Sequence, residues 1–204
     1  MGIKKSKYKK LGFCFLVYDR IFHEDFWKAF FKQVPSDRYE IYIHHKKESD
    51  FVSEGFFDEY VLDKSKIIPT AHGAPSLVLA QRNMYREALK DGCYKMLTAS
   101  HSCVPLKSFE KVYKRCVSHP CSEFYSRGKR HVDKRCSNVA STLYGYEHLS
   151  KAEQWFILNR RCAYELLALK DETILKMWSG TYASDEHYFL THLKYKNLVG
   201  KEVL

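Results

Sequence analysis

The chain has 204 residues and a formal net charge of +10 at pH 7, with 45% hydrophobic and 15% aromatic residues but only 5 prolines and 9 glycines. That composition excludes a disordered, collagen-like or linker-like chain and supports a full core in a single domain. The charge draws phosphate-bearing partners, whether nucleic acid, an anionic membrane or a nucleotide diphosphate, without choosing among them. Seven cysteines with no Cys-x-x-Cys pair read as reduced thiols, not as a disulfide framework. Cys116, His119, Cys121 and Cys136 fit no standard zinc spacing, so no metal is expected.

Residues 1–10 form a basic leader, and 11–204 are expected to be one domain. Met1-Gly2 with Ser6 matches a myristoylation pattern. A solvated leader is the reading adopted, one that still permits peripheral contact with a membrane. Leu11 to Val17 is a continuous apolar run, as for a strand covered on both faces. It is too short to span a bilayer or to serve as a signal peptide, so a cytoplasmic or cytosol-facing chain is expected; the short length and absent anchor hint at a viral or microbial source. Phe26, Trp27, Phe30, Phe31 and Val34 fall at helical spacing over residues 24–34, ended by Pro35. Tyr39 to His44 alternates as a second strand. Ile67-Ile68 is a short strand candidate. Pro75 opens a helix carrying Leu77, Ala80, Met84 and Ala88 on one face, and Asp91-Gly92 stops it. Tyr94 to Ala99 is the next strand, and Phe109 to Val117 another helix. Residues 123–126 are a strand candidate, and 127–150 are polar, basic and irregular. A strand at Trp155 to Leu158 leads into a helix using Ala163, Leu166 and Leu167. Ser184 is placed to cap a last helix from Asp185 to about Tyr195. Strand and helix alternate, so the fold class is α/β with a mostly parallel sheet flanked by helices.

Ligands of open α/β sheets bind at the carboxyl ends of strands. Three segments fall there: Thr98 to Leu106, Ala152 to Leu158, and Ser184 to Thr191. In the last, Asp185 and Glu186 stand beside His187 at a helix start. A carboxylate in a partly desolvated cleft takes a proton from an attacking hydroxyl, although acidic residues also favour a first turn for dipole reasons alone. His44 and His45 end a strand, where a nucleotide contact competes with ordinary hydrogen bonding.

In order along the chain, several pieces resemble the core-2/I-branching family of glycosyltransferases (glycosyltransferase family 14), the plant-type members especially. They are the first strand with its aromatic helix, Ile41-Tyr-Ile-His44, Gly73-Ala-Pro-Ser-Leu77, Ser100-His-Ser-Cys-Val-Pro-Leu106, Gln154-Trp155, Arg160, and Asp185-Glu-His-Tyr-Phe-Leu-Thr191. The resemblance implies a GT-A-like, Rossmann-like fold. It also implies a nucleotide-sugar donor, usually UDP-N-acetylglucosamine, with a glycan hydroxyl as acceptor, inversion at the anomeric carbon and catalysis without metal or other cofactor. The sequence has no Asp-x-Asp; the nearest pattern is Glu48-Ser-Asp50. Carried over residue by residue, Glu186 is the general base and Asp185 orients it or holds acceptor hydroxyls. Gln154, Trp155, Ser100, Ser102, Cys103 and His44 line the substrate cleft. Lys and Arg take the metal's place on the diphosphate, with Arg127, Lys129, Arg130, Lys194 and Lys196 as candidates.

The sequence departs from the family at His101, where an acidic residue is common, at His72, where a Trp is, and at Ala152-Glu153, where Gly-Ser precedes Gln-Trp. Family members continue well past the Asp-Glu helix, while this sequence ends at Leu204. The alternative readings are a catalytically inactive relative that binds glycan, or a nucleic-acid-binding module. The second lacks a motif, its basic residues being scattered; nucleic acid is not the expected partner. A Ser-His-acid hydrolase lacks its Gly-x-Ser-x-Gly elbow.

Overall fold

The computed structural model describes residues 8–46, 50–126 and 132–204. Its sheet is built around β1 (Leu11–Leu16), which pairs in parallel with β2 (Tyr39–His44) on one edge and β3 (Lys95–Ser100) on the other. A short β4 (Ile157–Asn159) adds antiparallel to β3, giving the order β2-β1-β3-β4. All six β1 residues are buried, the reason the run carries no polar alternation.

The pleat of β1 divides the core. Leu11, Phe13 and Phe15 point to one face, packing with Trp27, Phe30 and Phe31 of α1 (Glu24–Phe31) and Phe109 and Cys116 of α3 (Phe109–Ser118). Cys14 and Leu16 point to the other face, as a period of two requires. That face is covered by α2 (Pro75–Lys90), α5 (Arg160–Ala168), α6 (Asp171–Trp178) and α7 (Ser184–Tyr195). Phe13 meets Phe30 and Phe31 edge-on at 5.7 and 5.0 Å between ring centroids, the arrangement that ring quadrupoles prefer.

Several local expectations need correction. The first helix ends at Phe31, with Lys32 as C-cap, so Val34 lies outside it. Ile67-Ile68 is not a strand; the Ile68 N–H donates instead to His44 Nε2 at 3.1 Å. Around 123–126 there are only isolated bridges, from Ser122 to Val203 and from Glu123 to Ile157. The stretch 127–150 carries α4 (Val132–Val139) and a π-helical turn, Ala140–Tyr144. Cys136, Val139, Ala140 and Tyr144 supply its buried face, a spacing hidden by polar neighbours. Ser184 does not cap α7: the N-cap is Ala183, and Ser184 Oγ donates to the Thr181 carbonyl at 2.8 Å. Cys116 and Cys136 belong to different core clusters.

The helical layer is locked by Arg82 on α2, whose side chain is fully buried. Its guanidinium donates to the carbonyls of Leu166 and Leu169, to Tyr188 Oη at 3.0 Å and to Asp171 at 3.1 Å. One side chain thus joins α2, α5, α6 and α7. Arg82→Met removes the bonds that join the four helices, although Asp171 keeps Arg86 at 2.7 Å and the Leu166 carbonyl keeps the Tyr188 hydroxyl at 2.9 Å; the expected loss is about 3 kcal/mol, read by urea unfolding.

Candidate active site

In the order β2-β1-β3 the parallel strands that follow β1 are added first on one of its edges and then on the other, and a crevice opens beyond the carboxyl ends of β1 and β3. A cavity of about 520 Å³ lies there. The end of β1 gives it Leu16, Val17 and Tyr18, and the end of β3 gives Ser100 and His101. Lys46 follows β2, while Thr70, Ala71, His72 and Leu77 lead into α2. Gln154 and Trp155, just before β4, close the far side.

Backbone bonds hold this wall. Val17 N–H donates to the His44 carbonyl at 3.0 Å, and Lys46 N–H to the Tyr18 carbonyl at 2.8 Å, so β1 and β2 stay joined past their last ladder residues. After β3 the chain turns tightly. Ser100 N–H donates to Cys103 Sγ at 3.3 Å, and Ser102 N–H to Ser100 Oγ at 3.2 Å. Trp27 Nε1 fixes the Cys103 carbonyl at 2.9 Å. Ser100 therefore faces the cavity, while Ser102 and Cys103 shape the turn behind it.

The first turn of α7 is stitched to both sides of the cleft. Ser184 N–H donates to the Gly73 carbonyl at 3.3 Å, next to His72. Ala152 N–H donates to the Glu186 carbonyl at 2.8 Å, two residues before Gln154. His187 Nδ1 bonds the Ser150 carbonyl at 3.1 Å, and Thr191 Oγ1 accepts from Ser150 N–H at 3.0 Å. The entry to α7 is tight. Ala183 has φ +57°, and Gly73, at φ +69°, lies under Tyr182, where a Cβ would come within 2.9 Å of the ring. Non-glycine residues held at positive φ cluster at functional sites.

The two adjacent carboxylates diverge in environment. Asp185 is 5% exposed. Burial, with the neighbouring Glu186 charge adding to it, pushes its carboxyl up to about 6, partly offset by backbone N–H groups and His72. Glu186, its side chain 28% exposed, meets Lys151 Nζ at 2.9 Å and Arg135 at 4.0 Å. Arg135 also lies over the Tyr182 ring, whose hydroxyl is 3.1 Å from His72 Nε2. The imidazole of His187 is buried, and desolvation lowers its pKa from the ordinary histidine value.

The structure thus brings Ser100, Gln154 and Trp155 to one cavity; Asp185 and Glu186 are not among the residues that line it, and α7 reaches it through backbone bonds to Gly73 and Ala152, which neighbour the lining residues His72 and Gln154 in sequence. His44 does not line the cavity. It is fully buried, accepts from Ile68 N–H, and burial lowers its pKa to about 4; it supports the segment leading to Thr70–His72. Lys194 and Lys196 are also displaced. They sit at the far end of α7, roughly 12–15 Å along the axis from Glu186 at 1.5 Å per residue, and Lys196 pairs with Glu165 at 3.5 Å. Arg127, Lys129 and Arg130 lie outside the described residues. The cations near the site that sequence reasoning passed over are Lys46, Arg135 and Lys151. Only the place of Lys46, two residues past a strand end, and of Lys151, three before Gln154, could have pointed to them.

A family model for the core-2/I-branching enzymes matches residues 11–204. The chain belongs to the core-2/I-branching family. It is also similar to a curated rice protein (Oryza sativa subsp. japonica) named Glycosyltransferase BC10, 27% identical over 173 residues. That match covers 81% of this chain and 42% of the rice protein, so the chain spans less than half the length of that relative. In this member of the family the Asp-Glu pair opens α7 and Gln-Trp closes the cleft, joined by the Glu186–Ala152 backbone bond.

Because the folded pKa of Asp185 lies above that of a free carboxyl, the native state holds the proton longer. The stability this residue allows is therefore present at low pH and lost as pH rises from about 4 through about 6. Asp185→Asn removes that loss. Relative to the wild type, the variant should gain stability between pH 4 and pH 7, on the order of 3 kcal/mol, read by denaturant unfolding at both pH values.

Proposed function

We propose that this chain is a glycosyltransferase domain that inverts configuration and works without metal, moving a sugar from a UDP-sugar, N-acetylglucosamine or a related one, to a glycan hydroxyl. The observation that supports the reading is the cavity of about 520 Å³ at the switch point of the sheet, with the first turn of α7 bonded through the Glu186 carbonyl to the segment that carries Gln154 and Trp155 into its wall. The nucleotide occupies the cavity between the ends of β1, β2 and β3, with Gln154 and Trp155 against the donor or acceptor sugar. Glu186 takes the proton of the acceptor hydroxyl as its oxygen bonds to the anomeric carbon. The bond from that carbon to the phosphate oxygen breaks, and its electron pair leaves with the diphosphate. Stabilisation of that charge is assigned to Lys46, which lines the cavity, and to Arg135 and Lys151 beside Glu186, with Arg127, Lys129 and Arg130 as further candidates. Asp185, buried beneath, orients its neighbour.

The second reading is a glycan-binding relative without catalysis. The 2.9 Å Lys151–Glu186 pair favours it, since that contact must open or turn before the carboxylate accepts a proton. Transfer and donor hydrolysis by the purified chain separate the two.

Glu186→Gln should lower transfer by about 10²-fold or more, the usual worth of a general base. Its affinity for UDP, read by thermal shift, should stay within a few-fold of wild type. Lost UDP binding in a folded variant would remove Glu186 from the role of base. Activity should be unchanged by EDTA, because fixed side chains carry the diphosphate; a manganese requirement would overturn the metal-free mechanism.

A further inference from the structure

A second cavity of about 420 Å³ lies beside the first, over the start of α1, between residues 20–26 and 52–54. The two are separated by one ring contact. Phe22 lines the second cavity and His101 the first; their rings meet edge-on at 4.8 Å, and Phe22 N–H donates to the His101 carbonyl at 2.8 Å. On the other flank Tyr18 meets His101 at 5.6 Å. Two large rings of the second cavity stay in water, Phe22, just before α1, at 58% and Phe26, on α1, at 65% exposed, although α1 buries Trp27, Phe30 and Phe31.

The charges around these rings select the ligand. Glu24 and Asp25 occupy the first turn of α1, where the backbone dipole would otherwise attract an anion. Glu24 is committed: it accepts from Ser53 Oγ at 3.2 Å and Glu54 N–H at 3.0 Å. Asp25 remains 85% exposed at the cavity edge, 3.8 Å from Lys28. Arg20 also lines the cavity but is paired with Asp19 at 3.1 Å, and Glu54 adds a third acid to the lining, so the balance of charge disfavours a phosphate, and a purely apolar ligand would leave these carboxylates poorly solvated. Flat aromatic faces beside carboxylate acceptors suit a pyranose ring: its polarised C–H face lies on the electron-rich ring, and its hydroxyls donate to the carboxylate.

We propose that the cavity formed by Phe22, Phe26, Val52 and Asp25 is a binding subsite for a neutral oligosaccharide, holding a part of the glycan acceptor away from the reacting sugar. The inference rests on the glycosyltransferase reading for the acceptor's identity, but its test does not need turnover. A glycan on the Phe22–Phe26 shelf continues over the Tyr18–His101 rim into the main cavity. The shelf thereby sets which acceptors are long enough to gain from it.

The test uses the full chain with N-acetylchitotetraose and cellotetraose as probes, and UDP as the probe of the main cavity, followed by calorimetry and saturation-transfer NMR. At least one tetraose should bind the wild type. Phe22→Ala and Phe26→Ala should each bind it about tenfold more weakly, the worth of one stacking face, with UDP affinity unchanged. Phe26→Leu, which keeps an apolar side chain but loses the flat face, should lose as much as Phe26→Ala. Both rings are solvent-exposed, so the variants should fold, as circular dichroism will check. No tetraose binding by the wild type, or equal binding by the variants, overturns the proposal. A matching loss of UDP affinity also overturns it, by assigning the rings to the nucleotide. Tetraose binding that depends on Phe22 without any UDP binding would keep this subsite and sink the glycosyltransferase reading instead.

Discussion

Every functional feature of this chain depends on β1 being buried on both faces and hydrogen-bonded on both edges. A strand so placed gains from apolar burial along its whole length, and it sets the level at which three loops end together. Because β2 lies on one edge of β1 and β3 on the other, a crevice is left past its carboxyl end, and Leu16 to Tyr18 reach into it. The cavity is the space that remains. Its position follows from strand order alone, whereas its walls depend on side chains such as Trp27, which holds the turn after β3 from the opposite layer.

The second constraint is the grip of α7 on the segment 150–152. Four contacts from one helical turn and a half fix that segment, and through it Gln154 and Trp155. The same grip separates two adjacent carboxylates. Asp185 turns inward, where desolvation favours its neutral form. Glu186 turns toward Lys151 and Arg135 and keeps contact with solvent. Neighbouring acids with unlike surroundings suit different tasks, one structural and one chemical. Asp185 is the costly member, since an ionisable group is buried there with little beyond backbone to satisfy it. Such expense concentrates where geometry matters more than stability.

The aromatic rings divide between core and surface. Many pack in the two core layers on either side of β1. A smaller set, Tyr18, Phe22 and Phe26, stays in water along one rim of the cleft. Exposed rings beside carboxylates form a surface suited to sugars, in keeping with a family whose acceptors are glycans.

The sequence by itself determined the α/β class, the doubly buried first strand, the helix opened by Pro75, and the candidate carboxylates at the head of the last helix. These are local properties, set by apolar periodicity, by proline's fixed φ and by the order of motifs. It did not show which polar residues meet. His44, at a strand end, turned out to brace Ile68, because a buried imidazole needs a partner and the nearest was a backbone N–H. Lys194 and Lys196 lie close to Glu186 in number and far from it in space, since a helix adds length with every residue. Lys151, just past a stretch that reads as irregular, reaches Glu186 because α7 holds 150–152 against its first turn, and Arg135, within that stretch, reaches it from α4. Contacts between distant segments depend on how the layers pack, and only the tertiary structure decided them.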